Sequence, residues 1–379
     1  MRDGQIQRLG IIGGGQLAWM MALEGRQLGI ECVVQTPKMS DPAVAVAADV
    51  VLAPIDDAIA TEKLSETCDL ITFENEFIDL DALGALERSG IYFCPSLSAL
   101  QPLLDKYEQR SYLQRLGIPV PSFEALDWNA LPADLDFPLV LKTRRQGYDG
   151  QGTVIVKDNA QLHEAREKFG NVPLLREAFV PFDRELAVMA ARFPLGEIVI
   201  YPVVETQQID RVCRWVLAPA RVSKSVVKTI ESIARKLLEE LEVIGIFGIE
   251  FFLTADERVL VNEIAPRTHN SGHFSLDACQ TSQFAQHLRA VGDYPPGDPS
   301  MTCTGAVMVN LLGYETSDRD YLSQRQALAE IPGSTVHWYG KTESRVGRKL
   351  GHVTVCSDRG ERDELQAIAR QIESLWYPR

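Results

Sequence analysis

Two glutamates in this chain sit where an acid is least expected. Glu250 and Glu263 lie in apolar runs, "IFGIEFFLT" and "VLVNEIAP", joined through "ADER" (255–258). If that turn is symmetric, paired residue numbers sum to 513, and Glu250 lies opposite Glu263 with Asn262 beside it. Like charges directly opposed on adjacent strands destabilise a hairpin, and burial raises the cost unless something positive sits between them. Two carboxylates and an amide oxygen suit magnesium, above all magnesium carrying nucleotide phosphates. Two other readings stay open: a one-residue slip that turns one glutamate to solvent, and Arg267 as the counter-charge without a metal.

The stretch that follows, "RTHNSGH", adds Arg267, His269, Asn270 and His273. Histidines four apart near an acid raise the question of zinc. The HExxH pattern with its internal base is absent, and Ser271 and Gly272 disfavour the helix that would put both imidazoles on one face. These histidines are expected to hydrogen-bond, to position a substrate or to support a loop.

A third cluster is "LVLKTRRQGYDGQGTVIVKD". Lys142, Arg144 and Arg145 precede Gly147, Gly150 and Gly152, with β-rich runs on both sides. Glycines let successive amides converge on an anion, and the cations neutralise it. There is no GK[ST], and a strand rather than a helix follows, so this is not a Walker A loop. An ordinary hairpin with a basic edge is the alternative. Gly13-x-Gly15-x-x-Ala18 loosely fits a dinucleotide turn, but Gln35 stands at the strand end where an acid would hold ribose hydroxyls. A glycine turn that closes a βα unit, or touches another phosphate, is the better expectation.

These residues need a scaffold, and the chain of 379 residues is long enough for two to three domains. Apolar and glycine punctuation through "RLGIIGGGQLAWMMALEGRQLGIECVVQ", "VVLAP", "DLITFEN" and "IYFCP" predicts an open α/β domain over 1–105. "DKYEQRSYLQRLGIPVP" predicts a helix stopped by Gly117 and Pro119. Residues 106–295 form the central domain, with a glycine-loop lobe at about 120–190 and a lobe carrying the glutamate hairpin at about 190–295. "VGDYPPGDPS" (291–300) reads as a linker, and 296–379 as a small strand-rich C-terminal domain. The net charge of −14 argues against a general nucleic-acid or membrane-surface binder, while local basic clusters leave room for an anionic ligand. None of the seven cysteines lies within twenty residues of another, so reduced thiols in a cytoplasmic protein are expected, and no apolar run reaches membrane-spanning length.

At "GIIGGGQLAWM", "KTRRQGYDGQG", "FGIEFF", "VNEIAPRTHNSGH" and "WYGKTESRVGRKLGH" the sequence resembles the ATP-grasp ligases, and among them the 5-(carboxyamino)imidazole ribonucleotide synthases of purine biosynthesis. The resemblance runs from Leu9 to about His352. It implies an ATP-grasp fold, an N-terminal Rossmann-like domain, and ATP with magnesium as cofactors. Lys106 and Lys142 would lie on the phosphates under the loop of Gly147, Tyr148, Asp149, Gly150, Gln151, Gly152 and Thr153. Backbone groups of Glu177, Ala178, Phe179 and Val180 would receive the adenine, and Glu185 the ribose, with Gln208 near the nucleotide. Glu250 and Glu263, with Asn262 close by, would hold magnesium.

The implied reaction is ATP-driven carboxylation of aminoimidazole ribonucleotide by bicarbonate through carboxyphosphate. Arg267 would face the bicarbonate-derived oxygens, Tyr148, His269 and Asn270 the second substrate, and Lys341, Arg348 and Lys349 its 5′-phosphate. A homodimer is also implied. The chain departs from the family pattern at "QLAWMM", at "TFENEF" and at Gln208. Rival readings are a formate-dependent ribonucleotide transformylase of the same fold, an NAD-dependent oxidoreductase, and a non-catalytic nucleotide-binding regulator.

Overall fold

In the computed structural model of the protein, residues 5–131, 135–145, 152–209 and 212–377 are described. The N-terminal part is a parallel sheet ordered Asp49–Leu52, Glu31–Thr36, Arg8–Ile12, Leu70–Phe73. Its first strand feeds helix Gln16–Leu28 through the triple-glycine turn. The reason for the glycines is internal. The Glu74 carboxylate accepts from Gly15 N at 2.7 Å and Leu17 N at 3.0 Å, so it occupies the helix N-terminus itself. A Cβ on Gly15 would come within 2.4 Å of Glu74 Oε1. The anchorage that a dinucleotide pyrophosphate would use is thereby taken by the chain's own side chain.

A small antiparallel sheet, ordered Phe123–Leu126, Leu174–Ala178, Leu139–Thr143, Thr153–Val156, forms the next lobe. Its link to the preceding helix is specific. Asp105 caps helix Lys106–Arg115 by accepting from Tyr107 N and Glu108 N, and the same carboxylate takes Arg144 Nε at 3.0 and 3.1 Å. Lys106 is thus the first helical residue, and its N–H donates to Arg144 O at 2.8 Å.

The third sheet has nine strands among the described residues. It runs Val259–Ala265, Gly245–Thr254, Phe182–Arg192, Val204–Ile209, Val212–Ala218, Gly305–Leu312, Lys349–Ser357, Ser334–Trp338, with Ile198–Ile200 beside Phe182–Arg192. Helix Lys224–Glu240 covers one end, burying Val226, Ile230, Ile233, Ala234, Leu237 and Leu238 at helical spacing. The C-terminal strands do not build a sheet of their own. Val212–Ala218 pairs antiparallel with Gly305–Leu312, so one ladder continues from the central part into the last. Helices Leu322–Ala329 and Arg362–Trp376 accompany those strands, the second burying Leu365, Ala369, Ile372 and Trp376.

The glutamate hairpin closes differently from the symmetric four-residue turn. Leu253 pairs with Val259, Thr254 N donates to Arg258 O at 3.0 Å, and Glu257 has φ 58°. The loop is therefore three residues with a left-handed third position. That register would set Glu250 against Asn262. A β-bulge inserts Asn262 without a partner, and beyond it Glu250 pairs with Glu263. The bulge re-aims the strand at this point, and Asn262 and Glu263 both line the same cavity.

Candidate active site

A cavity of about 700 Å³ lies between the small sheet, the large sheet and the N-terminal domain. Its wall includes Glu74, Glu76, Lys106, Lys142, Thr153, Glu177, Ala178, Phe179, Val180, Glu185, Gln208, Glu250, Asn262, Glu263, Arg267, His269, Asn270 and Lys349, residues drawn from all three parts of the chain. Gly147, Tyr148, Asp149, Gly150 and Gln151 lie outside the described residues. Gly152, at the loop's end, has φ +85°, and a Cβ there would meet Thr143 Oγ1 at 2.3 Å. Lys341 and Arg348 are not in the wall. Lys341 Nζ donates to Gln16 Oε1 at 2.9 Å and to Lys349 O at 2.6 Å, next to the cavity, whereas Arg348 Nη1 donates to Glu343 O at 2.8 Å in its own loop.

Charge inside the cavity is unevenly balanced. Glu263 receives Lys106 Nζ at 2.5 Å. Burial would raise this carboxyl, but Lys106, with Lys142 behind it, more than offsets that and holds it at about 2. Glu250 has no such neighbour, since its nearest ion-pair partner among the described residues is His269 Nε2 at 3.8 Å. Burial first, then the charges of Glu263 and Glu185, push Glu250 up to about 8. Glu185, two rungs along the adjoining strand, is raised to about 7 by burial. The strand pairing thus leaves an under-neutralised group of hard oxygen donors, which is the chemistry a magnesium ion fits.

On the other wall Lys142 Nζ reaches Glu177 Oε2 at 2.7 Å and Asn262 Oδ1 at 3.1 Å. Glu177 Oε1 takes Arg110 Nε at 2.5 Å, and Arg110 Nη2 donates to Asn262 O at 2.5 Å. Burial would raise Glu177 as well, yet Lys142 and Arg110 hold it at about 2, while burial lowers Lys142. The Glu177 side chain is therefore spent on fixing Lys142. Nothing local in the sequence marks Arg110, because a helical arginine carries no sign of a partner 67 residues away. Beyond Lys142, Phe182 and Phe252 stack at 4.7 Å and 8° and give the cavity an aromatic end.

Arg267 faces the N-terminal domain. Its Nε lies 3.1 Å from Glu76 Oε1, its Nη2 donates to Glu76 Oε2 at 3.3 Å, and Nη1 donates to Thr268 O at 3.0 Å. The two histidines of the opening question do not converge. His269 Nδ1 bonds Ser271 Oγ at 2.6 Å, and His273 Nδ1 takes Gln283 Nε2 at 3.2 Å. Gln283 also accepts from His269 N and donates to His269 O, so one amide braces the loop from both sides.

Three family models match in series. They are a ribonucleotide synthetase preATP-grasp domain over 6–102, an ATP-grasp domain over 111–284, and a phosphoribosylaminoimidazole carboxylase C-terminal domain over 306–366. The N5-carboxyaminoimidazole ribonucleotide synthase of a Synechocystis species is 53% identical, covering 99% of this chain and 100% of its own. A solved structure of carboxyaminoimidazole ribonucleotide synthase from Aspergillus clavatus with ATP superposes with TM-score 0.90 at 32% identity, covering 97% and 98% of the two chains. A second from that organism, with ADP and 5-aminoimidazole ribonucleotide, gives TM-score 0.88, also at 32% identity, with the same coverage. This chain superposes on both solved structures over nearly its whole length. The chain belongs to the N5-carboxyaminoimidazole ribonucleotide synthase family and is an ATP-grasp ligase.

Proposed function

We propose that the protein carboxylates 5-aminoimidazole ribonucleotide with bicarbonate at the expense of ATP, giving N5-carboxyaminoimidazole ribonucleotide, ADP and phosphate. The observation that carries this reading is the single cavity. Lys106, Lys142, Glu185, Glu250 and Glu263 lie along the same space as Arg267, His269 and Lys349. A nucleotide and a second anionic substrate can therefore share one site.

Bicarbonate is a poor electrophile because hydroxide leaves badly. Attack of a bicarbonate oxygen on the γ-phosphorus expels ADP and makes carboxyphosphate. Attack of the exocyclic amine on the carboxyl carbon, directly or as carbon dioxide, then releases phosphate and the amine proton. Positioning and charge neutralisation supply most of such catalysis. Lys142, immobilised by Glu177 and Asn262, and Lys106, immobilised by Glu263, bring fixed positive charge to the phosphates without reorganisation. Glu250 and Glu263, with Asn262 beside them, would hold magnesium, which supplies phosphate neutralisation when bound. The planar fork of Arg267 matches a carboxylate-like anion, and Lys349, with Lys341 behind it, faces the ribonucleotide phosphate.

A formate-activating relative would use the same fold, but the relatives above favour the carboxylating reaction. Seven free thiols support a reducing, cytoplasmic setting, and no helix of the described residues is long and apolar enough to cross a membrane. Homodimer formation is carried over from the resemblance, and sedimentation would measure it.

The test is phosphate release from ATP with magnesium and bicarbonate, with and without the ribonucleotide, beside Glu263→Gln. Stimulation by the ribonucleotide that is lost in the variant supports the reading. A folded wild-type protein with no stimulation overturns it.

A further inference from the structure

The C-terminal strands of the large sheet meet the active-site loop through an unusual surface. Asn310 pairs with His352, and His352 with His337, so three polar side chains form one rung across three adjacent strands. Asn310 and His352 are fully buried. Each member of the rung meets one residue of the segment that follows Arg267. Asn310 and Asn270 exchange reciprocal amide bonds at 3.0 and 2.7 Å. The His352 ring lies 5.1 Å from the His273 ring. His337 Nε2 bonds the Asp277 carboxylate at 2.9 and 3.1 Å. Positions 270, 273 and 277 are spaced three and four apart, which is one face of a helical segment, here the short turns Asn270–Gly272 and Ser275–Ala278. Sheet rung and helical face therefore match residue for residue.

The rung is tied down at further points. Asn310 Nδ2 also donates to Cys213 O at 2.9 Å, and Tyr339 Oη bonds His352 Nδ1 at 2.8 Å. His337 and His352 stack at 4.4 Å and 14°. Although Asp277, His337 and His352 are close enough to suggest a metal, two nearly parallel imidazole planes cannot point in-plane lone pairs at one ion. The amides of Asn310 and Asn270 and the Asp277 carboxylate are all paired here, so disrupting the rung would leave buried polar groups at a desolvation cost. His273 Nε2 and His352 Nε2 have no hydrogen-bond partner among the described residues.

We propose that Asn310, His352 and His337 are positioning residues. They hold Asn270, His273 and Asp277, and through them set Arg267 and His269 at the cavity wall. Through this rung the C-terminal domain serves the carboxylation step at a distance, in addition to the cavity wall that its Lys349 supplies. This rests on the carboxylation reading above.

The experiment is a double-mutant cycle with Asn310→Ala, Asn270→Ala and the double variant, followed by ADP formation. Asn310→Ala is expected to lower kcat/KM for the ribonucleotide about 10- to 100-fold, as small misplacements do, and to leave KM for ATP within about twofold. If Asn310 acts through Asn270, the double variant is no worse than Asn270→Ala alone. Additive losses, or full activity in Asn310→Ala, overturn the proposal. Should Asn310→Ala not fold, His337→Phe with Asp277→Asn, at the less buried end of the rung, gives the same cycle with the same criteria. Amide exchange is read in parallel: residues 267–274 should exchange faster in the variant while the small sheet is unchanged. A wild-type protein without ribonucleotide-dependent turnover defeats the carboxylation reading, and the exchange data still decide the positioning, because unchanged exchange at 267–274 overturns it.

Discussion

Replacing Glu250 by glutamine should make the metal-free protein more stable at pH 8, although it removes a group assigned to magnesium. Glu250 sits opposite Glu263 in the hairpin and is pushed from 4.5 up to about 8, by burial first and by its acidic neighbours second. Between those values the native state binds more protons than the unfolded state, so stability falls as pH rises through the window. The shift spans about 3.5 units, and at about 1.4 kcal/mol per unit the full cost above pH 8 is of order 5 kcal/mol, less whatever relaxation and water entry relieve. Glu263 works in the opposite sense. Held at about 2, it contributes stability that is present above 4.5 and lost only as pH falls below that, so it adds no slope in the window. Glu185, raised to about 7, adds slope of the same sign as Glu250 in both proteins. Urea unfolding in EDTA at pH 5.5, 7 and 8.5 is the assay. The gap between Glu250→Gln and wild type should open with pH, toward about 2–5 kcal/mol in favour of the variant. Magnesium with ADP should then stabilise wild type more than the variant, because only wild type keeps both carboxylates. A stability gap that stays constant from pH 5.5 to 8.5 would refute the reasoning.

Three further outcomes are expected. Arg110→Leu leaves the buried Glu177 with Lys142 alone, and breaking such a pair should cost about 3–5 kcal/mol in urea unfolding; a loss below about 1 kcal/mol would mean the pair is replaced by solvent. Arg267→Lys keeps the charge but loses the fork that spans both Glu76 oxygens and Thr268 O. Turnover should fall at saturating ATP while calorimetry shows unchanged ADP affinity, and an equal weakening of ADP would argue that Arg267 serves the nucleotide. Gly15→Ala forces a methyl against Glu74 and should cost about 1–3 kcal/mol by thermal unfolding without any ligand present; an unchanged melting temperature would show that the turn has room for a side chain.

Much of the site was legible in short stretches. Opposed apolar runs with one acid each imply a strained, cation-seeking hairpin, but it is the bulge that pairs Glu250 with Glu263. A symmetric four-residue turn predicts that pairing, whereas the chain uses three residues and a bulge at Asn262. Turn length and bulge position depend on small dihedral differences that composition does not report. At the glycine turn Gln35 stands at the strand end where an acid would hold ribose hydroxyls. Only the fold seats Glu74 on the helix N-terminus, from 59 residues further along the chain.

By itself the sequence determined which residue types stand where local structure must expose or bury them. Strand alternation, helix caps such as Asp105, and glycine positions act over a few residues, so they are written locally. Tertiary structure decided the partners. Glu177 fixes Lys142 and Arg110, Glu76 takes Arg267 across 191 residues, and the rung of Asn310, His352 and His337 grips the loop after Arg267. Each of these depends on charges or amides meeting across sheets that come together only when the core closes. Coulombic and hydrogen-bond energies depend on distance and burial in space, and separation along the chain carries no information about either.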